Sequence, residues 1–185
     1  MMALCVDAGI PMTDKATVRR VPAHEAAGCI KPLADILIDC VEGGASVGFM
    51  LPLPRERALA FWRGVAEGVV RGERALLVAE LEGRIVGTVQ LILALPDNQP
   101  HRAEVAKMQV HRSARRRGIA ERLMEAVDET ARAEGRTLMV LDAVTGGDAE
   151  RLYERVGWQR VGSVPNFALM PDGKPCGTTY LYKAL

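Results

Sequence analysis

The residues best suited to chemistry in this chain of 185 residues lie in one stretch, from Val110 to Ala120. An alternating run, typical of a half-buried strand, ends at Val110, and an amphipathic pattern with helical spacing begins at Ile119. Three consecutive arginines (115–117) and Gly118 stand between them. The first N–H groups of a helix lack internal partners and carry partial positive charge, to which the arginines add. The stretch therefore predicts a strand-to-helix turn that binds an anion such as a pyrophosphate.

Two further segments share a family pattern with this turn. The string Arg-x-x-Gly-x-Ala at 115–120, behind a strand of the type Val-Ala-Lys-Met-Gln-Val, resembles the acetyl-coenzyme A (acetyl-CoA) signature of the GCN5-related N-acetyltransferases, the GNAT family. Residues 148–158 resemble that family's A-x-x-L/F-Y-x-x-x-G-F/W ending. The resemblance implies an enzyme that transfers the acetyl group of acetyl-CoA to an amine without a metal. It also implies the acyl-CoA N-acyltransferase fold.

In that family, the strand before the turn and the strand after the long helix separate, and the pantetheine arm lies in the gap. The resemblance implies that main-chain groups of Met108, Gln109 and Val110 bind the pantetheine amides. It also implies that the N–H groups of residues 116–121 bind the pyrophosphate. Arg112 or Arg115 is implied for the ribose phosphate, and the Val110 N–H for the tetrahedral oxyanion. The implied cofactor-binding residues are Met108, Gln109, Val110, Arg115, Arg116, Arg117, Gly118, Ile119, Ala120 and Glu121.

Tyr153 is the predicted general acid, because it stands at the tyrosine of the second family segment. A phenol with an ordinary pKa of about 10 is protonated near neutrality and can donate to the departing coenzyme A thiolate. Ala149, Leu152 and Val156 share its helical face, so the alternative is a core tyrosine with a satisfied hydroxyl. Tyr153 can be both the general acid and a core residue if the core-facing side of this helix borders the cofactor gap.

The attacking amine must lose a proton, and two carboxylates are predicted at strand ends to accept it. Glu104 opens the strand of residues 104–110, and Asp142 ends the next strand along the chain. Either can act directly or through a water. The alternation of residues 104–110 divides their side chains between two faces. One face is predicted to hold Glu104, Ala106, Met108 and Val110, and the other Lys107 and Gln109.

Charge, apolar runs and cysteine spacing argue against nucleic-acid, membrane and metal binding. The chain has 24 basic and 23 acidic residues, a net charge of +1, so no general attraction to nucleic acid or anionic membranes is expected. No apolar run approaches the roughly 20 residues that span a bilayer, and no signal peptide is evident. The four cysteines lack metal-ligand or disulfide spacing. We expect a cytoplasmic protein with reduced cysteines.

Hydrophobic periodicity organises the chain as a leader of residues 1–16 and a single domain of residues 17–185. The predicted fold class is α/β (α+β), a mixed, mostly antiparallel central sheet flanked by helices. The two closing strands could pair between subunits, which makes a homodimer possible. The predicted strands are 17–21, 74–81, 84–95, 104–110, 138–141 (buried on both faces), 158–161 and 178–183. The predicted helices are 23–42, 54–71, 119–134 and 148–156.

The acceptor is predicted from the parts that the cofactor signature does not explain. Residues 43–50, 102–107 and 171–178 together resemble the tabtoxin-resistance type of acetyltransferase, which implies a small amino-acid-like amine or an antibiotic or toxin. Residues 43–50 combine glycines with Phe49 and Met50, which suits a lid over a ligand or an ordinary connection tucked into the core. The alternative functions are a protein or peptide N-acetyltransferase and a non-catalytic CoA-binding sensor.

Overall fold

The computed structural model describes residues 16–185, which form seven strands and four α-helices. The strands are β1 (Thr17–Arg20), β2 (Arg74–Leu81), β3 (Arg84–Ile92), β4 (Arg102–Val110), β5 (Leu138–Val144), β6 (Gln159–Leu169) and β7 (Pro175–Ala184). The helices are α1 (Ile30–Glu42), α2 (Arg55–Val70), α3 (Ile119–Ala133) and α4 (Asp148–Arg155), with 3-10 turns at Ala23–Cys29 and Arg112–Ala114.

The strands form one mixed sheet in the order β1-β2-β3-β4-β5-β7-β6. Every neighbouring pair is antiparallel except β4 and β5, which are parallel and joined through α3. The predicted tight turn between β2 and β3 is present, with positive φ at Glu82 (51°) and Gly83 (73°). The predicted fold class, a mostly antiparallel sheet flanked by helices, is confirmed.

Two apolar layers cover the sheet. On one face, the apolar stripe of α3 (Ile119, Leu123, Val127 and Ala131) packs on buried side chains of β2 to β5. On the other face, α1 and α2 enclose a second core around Trp62, against β2 and β3. Asp142 on β5 is exposed and Tyr180 on β7 is half-buried. The β5–β7 end of this second face therefore remains accessible.

The single alternation predicted for β4 is wrong, because the strand contains a bulge. Lys107 has a φ of 53°, and the pairing register with β3 shifts at this point. Before the bulge, the buried Ala103 and Val105 pack on the α3 side, so Glu104 lies on the opposite face. After the bulge, Met108 packs on the α3 side. Glu104 and Met108 consequently do not share a face.

The strand after α3 also differs from its prediction. β5 extends to Val144, and burial alternates along it: Met139 and Leu141 are buried, whereas Asp142 is exposed. The expectation of burial on both faces fails because α1 and α2 pack mainly on β2, β3 and β4. Asp142 therefore lies inside β5 and pairs with Tyr180 of β7, rather than ending the strand.

The two closing strands form a hairpin that is longer than predicted, with β6 at the edge of the sheet. Apolar side chains on β6 are exposed, including Val161 at 68% and Phe167 at 50%. An exposed apolar edge strand is where pairing with a second chain would occur, and the homodimer stays a prediction.

The predicted leader lies outside the described residues except for Ala16, which is buried against the core. In residues 16–185, no helix is long and apolar enough to cross a membrane. Cys29, Cys40 and Cys176 are free thiols.

Leu123 of α3 is fully buried and should contribute strongly to stability. Replacing it by alanine removes apolar contacts and leaves a cavity, so we expect Leu123→Ala to lower the free energy of unfolding by about 2–5 kcal/mol. Urea unfolding measures the change, with Glu125→Ala on the exposed side of the same helix as the control. Equal stabilities of the two variants would contradict the packing described.

Candidate active site

A gap opens in the sheet where β4 and β5 stop pairing. Their parallel ladder covers only three positions and ends at Glu104 opposite Val140. Beyond this point β4 continues along β3 as far as Val110, and β5 continues along β7 as far as Val144. Each strand therefore turns an unpaired edge toward the other, and main-chain groups along these edges are available to a ligand.

The N–H group of Val110 is directed into this gap. His111 N donates to Val86 O at 2.8 Å, so His111 and Val86 form a hydrogen-bonded pair. In an antiparallel ladder, hydrogen-bonded pairs alternate with pairs that make no hydrogen bond. The next pair, Val110 with Gly87, therefore makes no hydrogen bond between β4 and β3. Arg115 Nε donates to the Val110 carbonyl oxygen on the same side, at 3.2 Å. The geometry fits the predicted role of the Val110 N–H as a donor to an oxyanion.

The main chain of Gln109 points the opposite way from that of Val110. The same alternation turns its main chain toward β3, and its carbonyl oxygen lies 3.2 Å from where a Cβ of Gly87 would stand. The Gln109 side chain is 3% exposed, and neither its Nε2 nor its Oε1 has a hydrogen-bond partner. The main chain of Gln109 is thus part of the β3–β4 ladder, and its contact with pantetheine stays a prediction.

The turn between β4 and α3 has the geometry of an anion site. Arg116 and Gly118 both adopt the left-handed conformation, with φ of 65° and 71°, and Gly118 is the N-cap of α3. No side chain caps this helix. The first helical bond joins Arg122 N to Gly118 O, so the N–H groups of residues 119–121 have no helical partner. Such a concave row of N–H groups fits the diphosphate of acetyl-CoA.

The arginines of this turn have different partners. Arg112 donates to Asp39 of α1 through its backbone N and its Nε, both at 2.8 Å, and Arg115 is bound to the end of β4. Both residues implied for the ribose phosphate are thus engaged within the protein. Burial opposes ionisation of Asp39, but the hydrogen bonds from Arg112 outweigh it and lower the pKa of this carboxyl. Arg116 and Arg117 are exposed.

Tyr153 lies in the core of the α3 side and is 6% exposed, with its ring centroid 6.1 Å from that of Trp158. Burial raises the pKa of its phenol, and the negative charge of Asp142 raises it further. The hydroxyl therefore stays protonated well above neutral pH, as a proton donor requires. Tyr153 is a core residue and also lies within electrostatic reach of Asp142 beside the gap.

The two predicted carboxylates have different surroundings. Glu104 stands at the last paired position of β4 and β5, and its Oε1 accepts from Arg102 Nη1 at 2.9 Å. Asp142 lies beyond that position, and no ion pair of Asp142 is found in the part of the chain that the structure describes. Its negative charge acts on both Tyr153 and Lys107. Asp142 is therefore the better placed of the two to accept a proton.

Lys107 is a residue of this region that the sequence reasoning missed. Its Nζ lies 5.8 Å from the ring centroid of Phe61 on α2, and the side chain is half-buried. Burial lowers the pKa of its ammonium group, with Asp142 partly opposing the effect. No signal in the sequence separates this lysine from a solvated one, because its orientation depends on the bulge.

The segment between α1 and α2 is attached to the β6–β7 hairpin. Ser46 Oγ donates to Leu169 O at 3.1 Å, and Leu51 N donates to Pro171 O at 3.0 Å. Phe49 packs edge-on against Phe61 with 5.3 Å between ring centroids, whereas Met50 is 38% exposed. We use the name acceptor bay for the accessible end of the sheet around Asp142, together with the adjoining α1–α2 segment and the β6–β7 hairpin.

A groove of about 690 Å³ lies elsewhere, between the β2–β3 turn and the start of α1. Its lining includes His111 and Ser113 but no residue of β5 or α4. The ion pairs of Arg19 with Glu25 and Glu80 lie along it. In residues 16–185, no group of three or more His, Cys, Asp or Glu side chains could hold a metal ion.

Comparison with known proteins agrees with this geometry. Residues 72–160 match the model of the acetyltransferase (GNAT) domain. An uncharacterized N-acetyltransferase from the hisH-hisA intergenic region of Azospirillum brasilense is 38% identical over 133 residues, which cover 71% of this chain and 76% of that protein.

Solved structures share the fold. An N-acetyltransferase from Staphylococcus aureus superposes with a TM-score of 0.74 at 18% identity, covering 92% of this chain and 98% of that one. The yncA protein of Salmonella typhimurium, described with its cofactor acetyl-CoA, superposes with a TM-score of 0.73 at 19% identity, covering 92% and 94%. Because the curated relative is similar over most of its length and the fold agrees, the chain belongs to the GNAT family of acetyl-CoA-dependent N-acetyltransferases.

Proposed function

We propose that the chain transfers the acetyl group of acetyl-CoA to the amine of a small, amino-acid-like molecule, or of an antibiotic or toxin of that kind, by direct attack in a ternary complex. The observation that carries the proposal is the gap between β4 and β5. The Val110 N–H is directed into this gap, and Tyr153 and Asp142 lie within electrostatic reach of each other beside it. Acetyl-CoA supplies the acetyl thioester.

In this reaction the amine must reach the thioester carbon in its neutral form. Asp142 is exposed at the acceptor bay and accepts the amine proton, directly or through a water. Glu104 is the less favoured base because it is paired with Arg102. A new N–C bond then forms while the carbonyl oxygen becomes an oxyanion, which the Val110 N–H stabilises.

Collapse of the oxyanion breaks the C–S bond and releases the thiolate. Tyr153 donates its proton to this sulfur. Asp142 releases the amine proton to solvent, and Tyr153 takes up a proton from solvent. The raised pKa of Tyr153 supports this role, since the phenol carries its proton throughout the neutral range.

The attachment between two elements that border the acceptor bay supports a small acceptor. The α1–α2 segment is hydrogen-bonded to the β6–β7 hairpin at Ser46 and Leu51. This attachment joins two of the elements that border the bay, whereas a protein N-terminus or lysine would require a groove left open between them. The resemblance of residues 43–50, 102–107 and 171–178 to the tabtoxin-resistance type also supports an amino-acid-like acceptor, without identifying that toxin as the substrate.

Thiol release from acetyl-CoA, measured against a panel of amino acids, other small amines and peptides, tests the proposed function. We expect turnover with at least one small amine and none with peptides. Turnover with peptides alone would favour a protein N-acetyltransferase. Tight acetyl-CoA binding without thiol release across the panel would favour the non-catalytic sensor.

Gly118→Ala should weaken acetyl-CoA binding about tenfold or more, because the left-handed conformation penalises a Cβ and a methyl group obstructs close approach of the phosphates. Gly135→Ala is the matched control, since Gly135 has a φ of 68° against 71° for Gly118 and lies beyond the opposite end of α3. Calorimetric titration with coenzyme A measures both affinities. Equal affinities would remove the α3 N-terminus from the binding site.

Tyr153→Phe should retain acetyl-CoA affinity while turnover falls by roughly 10²–10⁴, the range for a lost general acid. Because the pKa of Tyr153 is raised, its acid form persists on the alkaline side, and wild-type kcat should show no loss from this group below about pH 10. Tyr182→Phe is the control, as that hydroxyl binds Gln159 on β6 at 2.5 Å. Unchanged turnover in Tyr153→Phe would exclude the residue from the mechanism.

A further inference from the structure

We infer that the ammonium group of Lys107 binds a carboxylate of the acceptor, so that the substrates are molecules carrying both an amine and a carboxylate, as free amino acids do. This inference rests on the proposed function and deepens it. It assigns a specificity role to a residue outside the predicted catalytic and cofactor-binding sets.

The bulge in β4 determines where Lys107 points. A φ of 53° places this residue in the left-handed region, which L-residues other than glycine seldom adopt, and the β3 register shifts beside it. The side chain passes toward α2, where its Nζ lies 5.8 Å from the Phe61 ring centroid. The same Nζ lies 3.7 Å from the position of a Cβ at Gly48. Lys107 therefore lies under the α1–α2 segment that borders the acceptor bay.

The charge of Lys107 is incompletely compensated. Among residues 16–185, no carboxylate forms an ion pair with its ammonium group, which is held only by the cation–π contact with Phe61 and the longer-range field of Asp142. A half-buried ammonium group loses hydration, and its lowered pKa reflects that loss. A bound anion would restore both the charge balance and the missing hydrogen bonds.

Charge complementarity favours an amino acid over other anions. The bay holds a cation, Lys107, and an anion, Asp142, which interact with each other. An amino acid carries the opposite pair, so its carboxylate matches Lys107 while its amine faces Asp142, the proposed base. A phosphate dianion would be repelled by Asp142, and a simple amine would leave Lys107 unpaired. The two charges therefore select for a zwitterion and also orient its amine.

The test compares an amino acid that the wild-type enzyme acetylates with the amide of the same amino acid, which keeps the amine but lacks the carboxylate. We expect the wild type to prefer the acid. In Lys107→Met, kcat/KM for the acid should fall roughly 10- to 100-fold, mainly through KM, as for the loss of one charge-assisted contact. The value for the amide should stay within about twofold of wild type on the same reasoning. Lys107→Arg should retain part of the preference.

The control is Lys31→Met, which removes an exposed lysine at the start of α1. Its acid and amide constants should both match wild type. Equal use of acid and amide by the wild type, or an equal fall for both in Lys107→Met, would overturn the role of Lys107 while leaving the acetyl transfer intact. Absence of thiol release with every amine in the wild type would instead overturn the proposed function, and this inference with it.

Discussion

The site depends on a local failure of strand pairing. β4 and β5 exchange ladder contacts as far as Glu104 and Val140 and then separate, while each remains paired on its other side. Backbone groups left without a partner are costly unless water or a ligand binds them, so the separated edges form a binding surface that uses few side chains. The bulge at Lys107 and the direction of the Val110 N–H both belong to this arrangement.

Features that depend on residues close together in the sequence were predictable. The β2–β3 turn follows from Glu82-Gly83, and the apolar stripe of α3 follows from residues spaced one turn apart. The strand-to-helix turn at Gly118 has the expected form for the same reason. Long-range features were not predictable in this way. The β4 bulge arises from its register against β3, so one alternation could not describe residues 104–110, and nothing in the sequence indicated that Lys107 lies near Phe61.

Side-chain partners distant in sequence account for the remaining differences. Arg112 was a candidate for the ribose phosphate, but its partner Asp39 lies 73 positions away. Asp142 was expected at the end of a strand, yet its pairing with Tyr180 of the last strand extends β5 past it. Main-chain groups provide the contacts proposed for acetyl-CoA, and side chains provide those proposed for the acceptor. Family signatures record the first kind of contact better than the second, which is why the acceptor is a proposal.

Asp39 connects two parts of the proposed site that are distant in sequence. Its two carboxylate oxygens bind Arg112 at the turn before α3, while its own helix, α1, leads directly into the segment bordering the acceptor bay. The turn proposed to bind the diphosphate and the segment proposed to border the acceptor are thus both attached to α1. Free-energy coupling between two bound molecules is reciprocal, so redesign of α1 toward a new substrate would also alter the affinity for acetyl-CoA. Engineering of this enzyme should therefore vary the β6–β7 hairpin first and leave α1 unchanged.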